Sequence, residues 1–147
     1  MRGVEIVLVA GLGACTAVPI PAVREGTVLH LTIVATSPRS VTPEREAAIG
    51  PVSDTGLVTL RVERVRGDSS FGHYTGPALS FWPGFRGLNS TFVIVRHGAE
   101  WHIELDHDAQ DAGMKLSGEE AGGRVQGRWT GPMTGTPEGV FRLEPGA

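Results

Sequence analysis

The sequence predicts an all-β protein of about eight antiparallel strands in a meander, closed or partly open as a barrel. Three observations lead there. The 147 residues include 21 Gly and 10 Pro, a composition suited to frequent turns and poorly suited to a helical bundle. Apolar residues recur at alternate positions in segment after segment, the period of a strand with one buried face. Short Gly-containing connections separate neighbouring segments, as in hairpins. A two-sheet β-sandwich has the same strand count and stays open as the alternative. Closure into a barrel is favoured because it removes exposed edges.

The first strand is expected over Val28–Ala35, where Leu29, Leu31, Ile33 and Ala35 share one face. A polar stretch follows from Ser37 to Asp54. Within it, residues 42–49 have the makings of one short helix, with Thr42 as N-cap and Pro43 at the first helical position. Leu57–Val65 places Val58, Leu60 and Val62 on one side. The remaining strands are expected at His73–Phe81, Thr91–His97, Glu100–Asp106, Met114–Glu119, Arg124–Thr130 and Val140–Leu143. Gly98-Ala99 and Gly122-Gly123 supply compact hairpin connections.

One pattern occurs twice. Gly72-His73-Tyr74-Thr75-Gly76-Pro77 matches Gly127-Arg128-Trp129-Thr130-Gly131-Pro132 as G-x-aromatic-T-G-P. Each copy is expected to end a strand with an inward aromatic before a Gly-Pro turn. Two similar strand-ending devices explain six residues as well as a duplicated half-barrel does. Gly127-Arg128-Trp129 also resembles the G-x-W of lipocalins, a barrel of similar shape. There the motif lies on the first strand and here on the seventh, so the resemblance implies only a Trp that plugs one end of a barrel.

The N-terminus carries the strongest motif. Arg2 is followed by an apolar run from Val4 to Leu12, then Gly13-Ala14 and Cys15, the sole cysteine. Leu12-Gly13-Ala14-Cys15 resembles the lipobox of bacterial lipoproteins. The resemblance implies a signal peptide over 1–14 and a lipidated tether over 15–26. One globular domain over 27–147 would follow. It implies that Cys15 bears a diacylglyceryl thioether, with an added acyl chain such as palmitate, and that the protein is anchored to the cell envelope. Thr16 stands where an Asp favours retention at the inner membrane, so the expectation leans to the outer membrane. The competing reading makes Val4–Ala10 an ordinary buried strand of a cytosolic β protein. The run is about half the ~20 apolar residues that a membrane-spanning helix requires.

Thirteen basic residues against sixteen acidic give a net charge of −3, and no basic cluster marks a nucleic-acid partner. No phosphate-binding loop, dinucleotide fingerprint or G-x-S-x-G elbow occurs, and no cofactor is expected. Enzymatic activity is the minority reading. The densest polar cluster is His102, Glu104, Asp106, His107, Asp108 and Asp111. Strand alternation is expected to place His102, Glu104 and Asp106 on one face, with about 7 Å between successive members. His102, Glu104, Asp106, Asp108 and Asp111 are thus the candidates for a metal-assisted hydrolase, with a solvated acidic face as the plainer alternative. Glu119-Glu120 is expected to flank a hydrated hairpin tip. For recognition, Phe81, Trp82, Phe85 and Arg86 form an aromatic loop at a strand end that suits an envelope protein, a glycan or a small apolar ligand. The function expected is therefore a lipid-anchored binding or structural module of the envelope.

Overall fold

A computed structural model describes residues 19–36, 43–49, 55–76, 90–108, 113–131 and 138–146. Eight strands run in order around one closed barrel: β1 (Val28–Ala35), β2 (Thr55–Arg66), β3 (Ser69–Thr75), β4 (Thr91–His97), β5 (Glu100–Leu105), β6 (Met114–Ala121), β7 (Arg124–Thr130) and β8 (Glu138–Pro145). Each strand pairs antiparallel with its neighbours in sequence. β1 meets β8 from Leu29↔Pro145 to Ala35↔Gly139, which closes the ring. The sandwich alternative is thereby overturned. One short helix, α1 (Pro43–Ile49), interrupts the β1–β2 connection where Pro43 fixes its first turn; Thr42, expected to cap it, lies outside the described residues.

Period-two patterning explains why the ring closes on a solid core. Leu29, Leu31 and Ile33 of β1, Val58, Leu60 and Val62 of β2, and Trp101, Ile103 and Leu105 of β5 all point inward with 1% exposure or less. Phe92, Trp129 and Phe141 join them. An eight-stranded barrel is just wide enough for such side chains to fill, so the interior is packed core where a lipocalin would hold ligand. Trp129 fulfils the expectation of a plugging Trp: its ring is fully buried and its indole N–H donates to the Val34 carbonyl at 3.1 Å.

The repeated motif is matched by register as well as by sequence. Gly72 pairs with Phe92, and Gly127 pairs with Phe141. Tyr74 faces Leu60, and Trp129 faces Leu116. The two units stand four strands apart in an eight-stranded ring, on opposite walls, with both aromatics pointing inward.

The third strand differs from expectation. It begins at Ser69, directly after the two-residue turn Gly67-Asp68, and ends at Thr75; residues 77–81 of the expected strand lie outside the described ones. Ser69-Ser70-Phe71-Gly72 conceals a strand because its inward positions are Ser70 and Gly72, small residues with no apolar signal. A bulge between Val62 and Arg64 shifts the β2–β3 register around Glu63.

The two ends of the barrel are unlike. Gly67-Asp68, Gly98-Ala99 and Gly122-Gly123 close one end in two-residue turns, each opening on a glycine at positive φ (56°, 62° and 64°). The longer connections, residues 36–54, 76–90, 106–113 and 131–137, all leave from the other end. Residues 19–26, expected to belong to a free tether, lie across the short-turn end. Ile20 is 3% exposed within the core, Val23 packs against it, and the Gly26 N–H donates to the Val62 carbonyl at 2.8 Å. An apolar Ile at the open end of an apolar barrel has more to gain from burial than from solvent, by roughly 2 kcal/mol. Residues 19–26 therefore belong to the packed domain.

Candidate functional site

At the loop end, Tyr74 on β3 and Asp106 just beyond β5 form a buried polar pair. The Tyr74 hydroxyl donates to Asp106 Oδ2 at 2.7 Å, and Asp106 is 4% exposed. Strand alternation had placed Asp106 outward with His102 and Glu104. The strand stops at Leu105, and Asp106 adopts a left-handed backbone with φ 54°, which turns its carboxylate inward. Such a conformation costs of order 1 kcal/mol outside glycine, least for Asp and Asn. Its N–H donates to the Thr91 carbonyl at 2.7 Å, which offsets part of that cost. Ser90 beside it also has positive φ, 52°, and its carbonyl accepts from the Tyr74 N–H at 2.7 Å. Among the described residues, Asp106 Oδ1 and the buried His107 Nδ1 have no hydrogen-bond partner.

Burial, then the hydrogen bond to Asp106 and its nearby charge, hold the Tyr74 phenol far above its ordinary range. The chain contains one tyrosine, so tyrosinate absorbance reads this site alone. The folded state keeps its proton while the unfolded chain releases it above pH ~10, so stability is complete below that pH and falls as pH rises. The expected slope is about 1.4 kcal/mol per pH unit beyond pH 10. Tyrosinate should appear only as the barrel unfolds, and Tyr74→Phe should abolish this part of the alkaline sensitivity. Titration near pH 10 with the barrel intact would contradict the buried pair.

Outside the wall, around the Glu63 bulge, a cleft of about 480 Å³ is lined by Glu63, Phe71, His73, Thr91, His107 and Asp108 among others. His73 Nδ1 lies 3.0 Å from both Glu63 carboxylate oxygens, and His107 Nε2 lies 2.9 Å from Asp108 Oδ1. The Arg64 guanidinium sits 4.8 Å over the Phe71 ring. Donors, acceptors and an aromatic edge thus face one recess, a surface suited to hydrogen-bonding a polar ligand.

The proposed metal ligands do not converge. His102 uses Nδ1 toward Ser117 Oγ at 3.0 Å and Nε2 toward Glu100 Oε1 at 2.8 Å. Glu104 faces Lys115 Nζ at 3.8 Å. Asp106 is inside the wall and Asp108 pairs with His107, while Asp111 lies outside the described residues. Among the described residues no three His, Cys, Asp or Glu side chains group with metal-binding geometry. Phe81, Trp82, Phe85 and Arg86 also lie outside the described residues; the connection that carries them leaves from the same end as Asp106.

The second polar centre sits at the opposite end and was not expected. Glu120, whose side chain is 8% exposed, accepts from Trp101 Nε1 at 3.1 Å, from Arg96 Nη2 at 2.9 Å and from the Ile20 N–H at 2.8 Å. Arg96 also lies 4.9 Å over the Trp101 ring and donates through Nε to the Gly98 carbonyl at 3.2 Å. The signal was present in the sequence. Met114, Leu116 and Gly118 alternate inward, and Glu120 is the next position on that face; Phe92 and Ile94 lead to Arg96 in the same way. Glu119 alone is the hydrated residue of the expected pair. This centre fastens the N-terminal segment to the barrel.

The outer wall is mostly polar, with Arg61, His102, Glu104, Lys115, Arg128 and Arg142 facing away from the core and Val34, Leu57 and Val140 the exposed large apolar residues among the described ones. A barrel embedded in a bilayer needs an apolar outer band and strands of about 9–11 residues; seven of these eight strands have eight residues or fewer. Among the described residues, no helix is long and apolar enough to cross a membrane. No protein-family model matches the chain, and no curated protein matches it in sequence. Architecture therefore defines its class: a closed meander barrel of eight strands with a filled interior, a latched N-terminal segment at one end and long connections at the other.

Proposed function

We propose that this chain is a lipid-anchored cell-envelope protein, acylated at Cys15, whose barrel is a rigid binding module. The observation that carries the reading is the closure of the ring. Every strand is paired on both sides within β1–β8, so no edge remains for Val4–Ala10 to join as a ninth strand. A ring without a free edge supports reading the apolar run as a signal. The polar outer wall favours a domain held at a membrane over one embedded in it.

Binding falls to the outside of the barrel, because the interior is occupied by Trp101, Trp129, Phe92 and their neighbours. The loop end offers the recess beside His73 and His107. The connection that leaves from this end also carries Phe81, Trp82, Phe85 and Arg86, residue types suited to a glycan or an envelope protein. Thr16 after the acylated cysteine favours the outer membrane. Expression of the full chain in a bacterial host, followed by mass spectrometry of the membrane fraction, tests the anchor. The expected product begins at Cys15 and carries acyl mass, and Cys15→Ala leaves the precursor unprocessed. An intact, unacylated N-terminus at Met1 in the wild-type chain overturns the reading.

A further inference from the structure

We propose that the short-turn end of the barrel is the face held against the membrane, and that the loop end with its recess points away from it. The inference rests on acylation of Cys15. Its own basis is the latch. Ile20 is buried in the core, and its N–H donates to Glu120 at the short-turn end. Only three residues lie between Cys15 and Pro19, and the four residue steps reach at most ~14 Å even when fully extended.

The acylated cysteine sits at the boundary between headgroups and hydrocarbon, and the headgroup layer is ~6 Å deep on each side. Most of the tether is thus consumed in crossing that layer. A strand of eight residues tilted about 40° raises the opposite end by ~20 Å, so an inverted barrel lies beyond the tether's reach. Lying on the β5–β6 side would press His102 and Lys115 onto the membrane, whereas lying on the β8–β1–β2 side would offer it only Val34, Leu57 and Val140 as exposed large apolar residues, a posture in which both barrel ends would be quenched alike. At the short-turn end, exposed Arg24, Arg66 and Arg124 stand among exposed Glu25, Asp68, Glu100 and Glu119. With no net positive charge there to draw this end to anionic lipid, the acyl chains and the short tether set the orientation, and it should be insensitive to salt.

The test uses the full chain, acylated and reconstituted in phosphatidylcholine vesicles containing a headgroup-attached quencher. Acylation consumes the sole native thiol, so a single introduced cysteine takes one fluorophore. Asp68→Cys and Ala99→Cys report the short-turn end; Thr75→Cys and Thr130→Cys report the loop end. All four positions are exposed. Quenching at 68 and 99 should exceed that at 75 and 130 by about threefold, as expected for ends ~20 Å apart. Inserting a flexible Gly-Ser segment of about 15 residues after Thr16 should level the difference; its persistence would show that surface adhesion, and not the latch, sets the orientation. Acyl mass is measured on the same samples. Acylated protein with equal or reversed quenching overturns the orientation alone. Protein without acyl mass overturns the lipid anchor, and the orientation falls with it.

Discussion

Glu120→Ala should lower the unfolding free energy by roughly 3 kcal/mol and release residues 19–26 from the barrel. Three donors converge on this carboxylate: the indole N–H of Trp101, a guanidinium N–H of Arg96 and the Ile20 N–H. Trp101 is fully buried, so its orphaned N–H loses water and carboxylate alike, at a cost of about 1–3 kcal/mol. Arg96 is one-third exposed and can turn to solvent, so its loss adds less. The Ile20 amide loses about 1 kcal/mol and with it the bond that fixes the segment across the barrel end. Glu120→Gln keeps one acceptor oxygen and should cost about half as much. Urea unfolding measures the stability. Tryptic cleavage after the exposed Arg24 measures the release, and should accelerate in Glu120→Ala. Unchanged midpoint and cleavage rate would show that Glu120 is a surface residue without consequence.

The legibility of this fold in its sequence varied with the kind of signal each element carries. β1, β4 and β7 coincide with their expected limits because apolar residues stand at alternate inward positions within them, Leu29, Leu31 and Ile33, Phe92 and Ile94, and Val125 and Trp129, with turn residues beyond. β3 was misplaced because Ser70 and Gly72, its inward residues, carry no hydrophobic signal. There the barrel wall approaches itself so closely that small residues are required: a Cβ on Gly72 would lie 1.9 Å from the Arg61 carbonyl oxygen. Glu120 and Arg96 were legible by period alone, yet charge argued against burial, and only three-dimensional closure brings them to the same Trp101 ring. Asp106 failed the opposite way. Alternation predicted an outward carboxylate, and one residue at positive φ reversed it, a backbone choice that Asp tolerates but does not announce. Cys15 lies outside the described residues, so its motif is read from the sequence alone.

The second large effect concerns how the ring bends. Gly127→Ala should cost about 3 kcal/mol or more, and Gly127→Val should prevent the barrel from closing. Gly127 faces Gly118 across the β6–β7 ladder and Phe141 across the β7–β8 ladder. A Cβ there would stand 2.0 Å from the Ser117 carbonyl oxygen and 2.5 Å from the Gly118 Cα. Both obstacles are backbone, which cannot rotate away as a side-chain tip would, so relief requires β6 and β7 to separate. Separation in turn uncovers Phe141, whose ring occupies the space left by the missing side chain of Gly118, 2.9 Å from where a Cβ would be. Glycine at such a position is a bend in the wall and a seat for an aromatic ring at once. Ala99→Gly, in an exposed two-residue turn, serves as the control and should change stability by less than about 0.5 kcal/mol. Chemical denaturation and tryptophan emission separate the outcomes: Gly127→Ala unfolds at lower urea with Trp129 still buried, whereas Gly127→Val shows solvent-exposed tryptophan without denaturant. Wild-type stability in Gly127→Ala would mean that β6 and β7 have slack, and that the close approach does not govern closure.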